Sequence, residues 1–257
     1  YYFIEKAQTY DVPETLDQLY QAAKAFGQFQ NFLSDLPQPA LHETIPDFHN
    51  AQKRYETFLQ VLDKDPHNRA ASAKTEIDFL QKNVYLLNVL PDLVQSGKIP
   101  IRTTHNDTKI NNVMIDDQTS EGICVIDLDT TMPGLSLFDF GDIVRTTISK
   151  SAEDEADLSK IVADPTRFEP VVKGYCAGAG DFLNSAEINH LVHAGKLITT
   201  VIGIRFLTDY LDGDHYFKIH RENHNLERCR SQFKIVQAII EQEETMERLV
   251  QSCFQCE

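Results

Sequence analysis

The sequence predicts an α+β fold in which helices dominate, with a few short strands gathered around one polar loop. Three observations predict it. Apolar residues recur at helical spacing through most of the 257 residues. One short region, 99–126, instead shows β-branched and alternating runs. No internal repeat and no Pro/Ser-rich linker divides the chain, so 1–257 reads as a single unit. Its 42% hydrophobic and 25% charged residues suit a well-buried core.

The elements follow in order. After Pro13, apolar residues at Leu16, Leu19, Ala23, Phe26, Phe29 and Leu33 predict a helix that ends before Pro37. A second helix is expected from just after Pro46 towards Leu62, and a third from Arg69 to Gln95, stopped by Gly97. Ile99 to Thr103 alternates like a strand. Val113 to Ile115 and Ile123 to Ile126 read as two more, joined by a turn over 116–122. The acidic stretch Ser151 to Asp157 reads as a solvated helix start. The glycine-rich run Gly174 to Gly180 lies between helical patterns, where glycines end helices; it is a poor phosphate loop. Two long, core-packed helices are expected at Ser185 to Leu211 and His224 to Val250.

Composition excludes some functions. Lys+Arg 24 against Asp+Glu 39 gives a formal charge of −15. Nucleic-acid binding depends on clustered cations, so neither a nucleic-acid partner nor a metal-dependent nuclease is expected. An anionic nucleotide would need divalent cations to bind such a surface. No apolar run approaches the roughly 20 residues that span a bilayer. The best, Leu197 to Ile204, is short, and the N-terminus lacks signal-peptide character. A cytoplasmic protein without a membrane partner is the expectation. Cys124, Cys176 and Cys229 lie in apolar patterns and read as reduced core residues. Cys253 and Cys256 form a CxxC with no second ligand pair for zinc.

The chemistry sits in the polar loop His105-Asn106-Asp107-Thr108-Lys109-Ile110-Asn111-Asn112. Phosphoryl transfer to a hydroxyl needs a carboxylate to orient and deprotonate it, divalent metal to neutralise phosphate charge, and a nearby cation. The pattern H-x-D-x-K-x-x-N supplies these at the spacing of a kinase catalytic loop. Asp107 is then the base, Lys109 a cation near the departing phosphate, and Asn112 a metal ligand. The second metal carboxylate should follow the next strand, where Asp127 stands 15 residues beyond Asn112. Asp139-Phe140-Gly141 spells another kinase triplet but lies 27 residues beyond Asn112, before a helical pattern. Asp139 is expected to cap that helix or brace the loop. The bland alternative makes the loop a mere connection and Asp127 and Asp129 turn residues.

HNDTKINN followed by VIDLDTTMPGLSLFDFGD resembles the aminoglycoside/choline kinase-type phosphotransferase superfamily. The stretches Gly203 to Leu211 and Gly213 to Ile219 are similar to the C-terminal helical region of its N-acetylhexosamine 1-kinase group. The resemblance implies a protein-kinase-like C-terminal lobe and transfer of the ATP γ-phosphate, with Mg2+, to the anomeric hydroxyl of an N-acetylhexosamine. It implies that Asp107 activates this hydroxyl while Asn112 and Asp127 hold magnesium. Arg205 and Tyr216 match sugar-holding positions; by themselves they would read as a surface ion-pair Arg and a core Tyr. Asp129 is either a substrate contact or a loop hydrogen bond. His105 is expected to brace the loop, and Arg145 either to reach the site or to form an ion pair.

The resemblance also divides the chain into a hinge segment at 1–10, a catalytic and metal-binding core at 99–145, and a helical substrate-binding region at 150–257. It implies that the β-rich nucleotide-binding N-lobe is absent, so that the fragment alone is expected to be inactive. Exposed apolar surface is then expected near the N-terminus, where another copy of the chain could pack. Rival readings are the same fold with an aminoglycoside, choline, homoserine or other small-alcohol acceptor, a non-catalytic kinase-derived module, and a protein kinase, which lacks its activation-segment ending here.

Overall fold

Local chemistry starts and stops the helices of the computed structural model, which describes residues 3–36 and 41–254. Tyr1 and Tyr2 of the expected hinge, the Pro37 stop and Cys256 of the CxxC lie outside those residues. Thr15 heads α1 (Leu16–Phe32) with a capping box: its side chain accepts from the Gln18 N–H while the Gln18 side chain accepts from Thr15. α2 (Ala51–Lys64) begins later than expected, because Asn50, not Pro46, supplies the N-cap oxygen, to the Lys53 N–H.

The third expected helix is broken into α3 (Lys74–Lys82), a 3-10 turn (Val84–Leu87) and α4 (Val89–Gln95). Pro91 accounts for the second break only: it has no N–H, and its ring clashes with the carbonyl four residues earlier, at Leu87. Gly97 ends α4 at φ +71° while the Lys98 N–H reaches back to the Leu93 carbonyl.

Among the described residues, five short strands make two small antiparallel sheets. β1 (Ala7–Gln8) pairs with β3 (Val113–Asp116), which pairs with β4 (Gly122–Val125); β2 (Arg102–Thr104) pairs with β5 (Met132–Gly134). The β3–β4 turn is held by the Asp116 carboxylate, which accepts from the N–H groups of Gln118 and Thr119. β1 falls inside the segment read as a hinge. β5 was not expected at all, since Pro133 and Gly134 disfavour strands; it pairs on one side only, where Pro is tolerated.

The helices beyond the sheets make the core. α5 (Ser136–Thr147) and α6 (Pro165–Ala179) are followed by a single turn, α7 (Ser185–Ile188), and then by α8 (Leu191–Asp212) and α9 (His224–Phe254). The helix expected over Ser185 to Leu211 is divided because His190 leaves helical geometry (φ −115°, ψ 11°). The glycine run is corrected too. Gly174 and Gly178 lie inside α6, where a Cβ would stand 2.1 and 2.2 Å from the Tyr20 and Lys24 carbonyl oxygens of α1. They permit close helix packing, and only Gly180 (φ +55°) ends the helix. Truncating Phe26, fully buried beside this contact, should cost about 3–5 kcal/mol.

α8 also amends the expectation about apolar runs: by length and composition it could cross a membrane, yet 83% of its apolar window is buried inside the protein. Cys229 is a core residue, whereas Cys124 and Cys176 are half-buried. The acidic 151–157 stretch leads into no α-helix, only a 3-10 turn, Leu158–Lys160, which Asp157 caps by accepting from the Ser159 N–H. Glu153 pairs with Arg145, and Asp154 with Arg221 and His224, so it is a loop strapped to α5 and α9.

Candidate active site

The loop between β2 and β3 is organised by a buried carboxylate. Asp139, fully buried in the first turns of α5, accepts from the N–H groups of His105 (2.9 Å) and Asn106 (2.7 Å) and from the Gln30 side chain (2.5 Å). Burial pushes its carboxyl up, and His105 with these donors opposes the shift. The Thr108 hydroxyl donates to its carbonyl (2.6 Å). Asp139 therefore caps no helix; it ties 105–108 to α5. Both His105 ring nitrogens are engaged: Nε2–H donates to the Ile126 carbonyl (2.9 Å) and Nδ1 accepts from the Asp107 N–H (3.3 Å). Neither is open to a substrate.

Asp107 emerges half-exposed from this buried frame. The Lys109 ammonium lies 2.9 Å from its carboxylate, and the Asn112 amide donates to its carbonyl (2.8 Å). The Ile126 N–H donates to the Asn112 carbonyl (2.9 Å), which places Asp127 one residue beyond that bond. Asp127 is exposed, adopts the left-handed conformation (φ 61°, ψ 59°) and carries no hydrogen bond or ion pair among the described residues. Asn106 is also left-handed (φ 67°). Asp129 is exposed, and its carbonyl accepts from Thr44.

The oxygen chemistry suits a hard divalent cation. The Asn112 nitrogen is committed as a donor, leaving its amide oxygen as the acceptor, and the Asp127 carboxylate is unpartnered. Among the described residues no cluster of three or more His, Cys, Asp or Glu could hold a metal. An amide-plus-carboxylate pair is what this loop offers.

Arg205 and Tyr216 meet in a separate hollow of about 160 Å³ between α2 and α8. The Arg205 guanidinium lies near the rings of Phe48 (5.4 Å), Tyr216 (5.6 Å) and Phe217 (5.3 Å) and donates to the Tyr216 hydroxyl (3.4 Å). Tyr216 is 72% exposed, so it is not the core residue its bland reading made it. Arg205 forms no ion pair among the described residues; burial, then the adjacent Arg54 guanidinium, lowers its pKa. The hollow joins the loop through Phe48 and His49, whose Nε2–H donates to the Asn106 carbonyl (2.9 Å).

Several residues here had no signal in the sequence. Burial drives the His49 pKa down to about 4, so the ring is neutral, and its Nδ1 acceptor is buried without a partner. Asp142 faces His49 and Arg145; burial alone would raise its pKa, but the Arg145 guanidinium (2.7 Å) leaves it lowered. Arg145 is thus the buried ion pair of its two readings, bridging Asp142 and Glu153. Asp209, of α8, accepts from the N–H groups of His215, Tyr216 and Phe217 and from Asn225, and so shapes the loop bearing Tyr216.

Known structures share this fold. A choline/ethanolamine kinase family protein from Mesorhizobium loti matches with a TM-score of 0.60 at 14% identity, over 98% of this chain and 72% of that one. An aminoglycoside phosphotransferase from Alicyclobacillus acidocaldarius matches at 0.54 and 13%, over 96% and 69%. A Plasmodium vivax ethanolamine kinase matches at 0.52 and 14%, over 90% and 64%. At these identities the likeness is one of fold. The family model described as the APH phosphotransferase enzyme family matches residues 3–170, which include the whole loop and Asp127. The chain belongs to that phosphotransferase family.

Proposed function

We propose that this chain carries the catalytic machinery of an ATP- and Mg2+-dependent phosphotransferase acting on a hydroxyl of a small, neutral, oxygen-rich acceptor. The acceptor class we favour is a sugar, and specifically the anomeric hydroxyl of an N-acetylhexosamine. The observation that carries the chemistry is the convergence of Asp107, Lys109 and Asn112 on one loop, with Asp127 two residues beyond β4 and next to Ile126, whose N–H donates to the Asn112 carbonyl.

Asp107 accepts the acceptor's proton as the new O–P bond forms and the bond to the departing nucleoside diphosphate breaks. Lys109 supplies positive charge beside the transferring group. Asn112 and Asp127 would hold the divalent cation, which when bound neutralises phosphate charge. His105 and Asp139 position the loop without touching substrate.

Charge in the hollow supports a neutral acceptor. Two guanidiniums, Arg54 and Arg205, and two carboxylates, Asp209 and Asp212, line it, so its formal charges cancel. A hydroxyl-rich acceptor can accept from the guanidiniums and donate to Asp212. Tyr216 and Phe217 add aromatic faces of the kind that stack on sugar rings. Cytoplasmic residence and a nucleotide partner belong to the same proposal, supported by composition and by the family.

An acceptor panel with the full-length protein, ATP and Mg2+, read by phosphorus NMR, tests it. Phosphorylation of N-acetylglucosamine or N-acetylgalactosamine but not of choline, ethanolamine or an aminoglycoside is expected. Transfer to the cationic acceptors alone overturns the sugar reading and leaves the phosphotransferase reading intact. Unchanged turnover after Asp107→Asn overturns the assignment of the base.

A further inference from the structure

Two histidines that the proposed transfer does not use meet on the surface. His67 lies on the loop between α2 and α3, His215 on the loop beyond α8, and their ring centroids are 6.1 Å apart. Both residues are exposed, and neither ring forms a hydrogen bond or ion pair among the described residues. Their Nε2 atoms share one spot. A Cβ on Gly213 would stand 2.5 Å from the His67 Nε2 and 3.0 Å from the His215 Nε2. Only glycine leaves that spot open, and the φ of +104° there also favours glycine.

The two loops are bonded to each other beside the histidines. Asp65 accepts from the N–H groups of Arg69 (2.8 Å) and Ala70 (3.1 Å), which closes the chain around His67. The Arg69 guanidinium then crosses to the other loop, donating to the Tyr210 carbonyl (2.6 Å) and the Asp214 carboxylate (2.5 Å). The Asp214 side chain is buried and also accepts from Asn225 (2.8 Å), while Asp209 accepts from the His215 N–H (2.9 Å). The backbones carrying both rings are therefore set before any ligand arrives, and binding has only the ring torsions left to order.

We propose that His67 and His215 bind one divalent transition cation, of the Zn2+ or Ni2+ class, through their Nε2 atoms, with water in the remaining positions. Imidazole suits these ions, whereas Mg2+ takes oxygen ligands. The pair thus differs in chemistry from the amide and carboxylate of Asn112 and Asp127. Both rings stand on exposed side chains that can turn to the roughly 2.0–2.1 Å that zinc requires. The neighbouring carboxylates are not further ligands. Asp65 and Asp214 are already engaged, and among the described residues no third His, Cys, Asp or Glu joins the pair. Two protein ligands make an exchangeable site, unlike the closed four-ligand sites that hold a fold together. A bound cation would tie the 65–69 loop to the loop that carries Tyr216, which lines the acceptor hollow.

The test is calorimetric titration of the tag-free full-length protein with NiCl2, with accessible thiols alkylated and excess MgCl2 present to fill oxygen sites. One Ni2+ per chain should bind. His67→Ala and His215→Ala should each weaken it about tenfold or more. Both residues are exposed, so their loss leaves the core intact. His220→Ala, which removes another exposed histidine of the same loop, should leave binding unaltered. Urea titration gives a second reading, since Ni2+ should raise the unfolding midpoint of the unsubstituted protein and of neither His67→Ala nor His215→Ala. Absence of saturable binding below millimolar Ni2+, full affinity in either of those two variants, or equal weakening by His220→Ala would each overturn the proposal.

Discussion

The catalytic loop and the acceptor hollow are built by opposite means. In the loop, Thr104, His105, Asn106 and Thr108 are buried, and backbone groups are fixed by one inward carboxylate, Asp139. In the hollow, Tyr216 stands 72% exposed on a loop beyond the end of α8, which Asp209 fastens through backbone N–H groups and Arg69 through Asp214. The difference teaches where constraint lies. Transfer chemistry tolerates little displacement of its base, whereas a surface hollow can change its side chains with little cost to the fold. The loop is therefore where substitutions should cost rate or stability, and the hollow where they should cost affinity.

That contrast can be broken most sharply at Asp107. Asp107→Asn should lower kcat by about 10³-fold or more with the circular dichroism spectrum unchanged. A matching fall from Arg205→Met would erase the distinction between the two regions. Next in size is Asp139→Ala, which strands the buried N–H groups of His105 and Asn106 and should lower unfolding free energy by about 3 kcal/mol in urea titrations.

A pH series sharpens the picture of the buried side. His49 and His193 stay neutral in the folded state down to about 4, against 6.5 for an ordinary histidine, because burial disfavours their charge. The unfolded chain then binds more protons between these values. Stability is fully present above 6.5 and falls as pH drops towards 4, by on the order of 1–2 kcal/mol per histidine at pH 5. His49→Gln should flatten part of the slope of urea midpoint against pH. The smallest effects belong to the hollow. Arg205→Met should raise KM for the acceptor about tenfold with kcat within a few-fold, and Tyr216→Phe should raise it only about two- to threefold. Steady-state kinetics separates the two.

How much could be read beforehand follows the same division. The order of Asp107, Lys109, Asn112 and Asp127 is local, spans 21 residues, and is imposed by a spacing that strands and a turn preserve. The start of α1 after Pro13 and the stop at Gly97 were legible because proline, apolar spacing and left-handed glycines act within a few residues, whereas the Thr15 cap was not read. Tertiary context took over elsewhere. Gly174 and Gly178 looked like helix enders until α1 was seen pressed against them. The 151–157 acids gave no sign of their partners, because Arg145, Arg221 and His224 come from α5, from the segment before α9 and from the first residue of α9.

The sequence by itself determined a helical α+β chain with one phosphotransferase loop, since hydrophobic periodicity and short motifs act over a turn or a strand. Only the tertiary structure decided that Asp139 ties that loop down and that His49 is neutral. It alone brought Arg54 to Arg205. Each of those depends on burial and on contacts between residues tens of positions apart, and desolvation has no signature in the order of the amino acids.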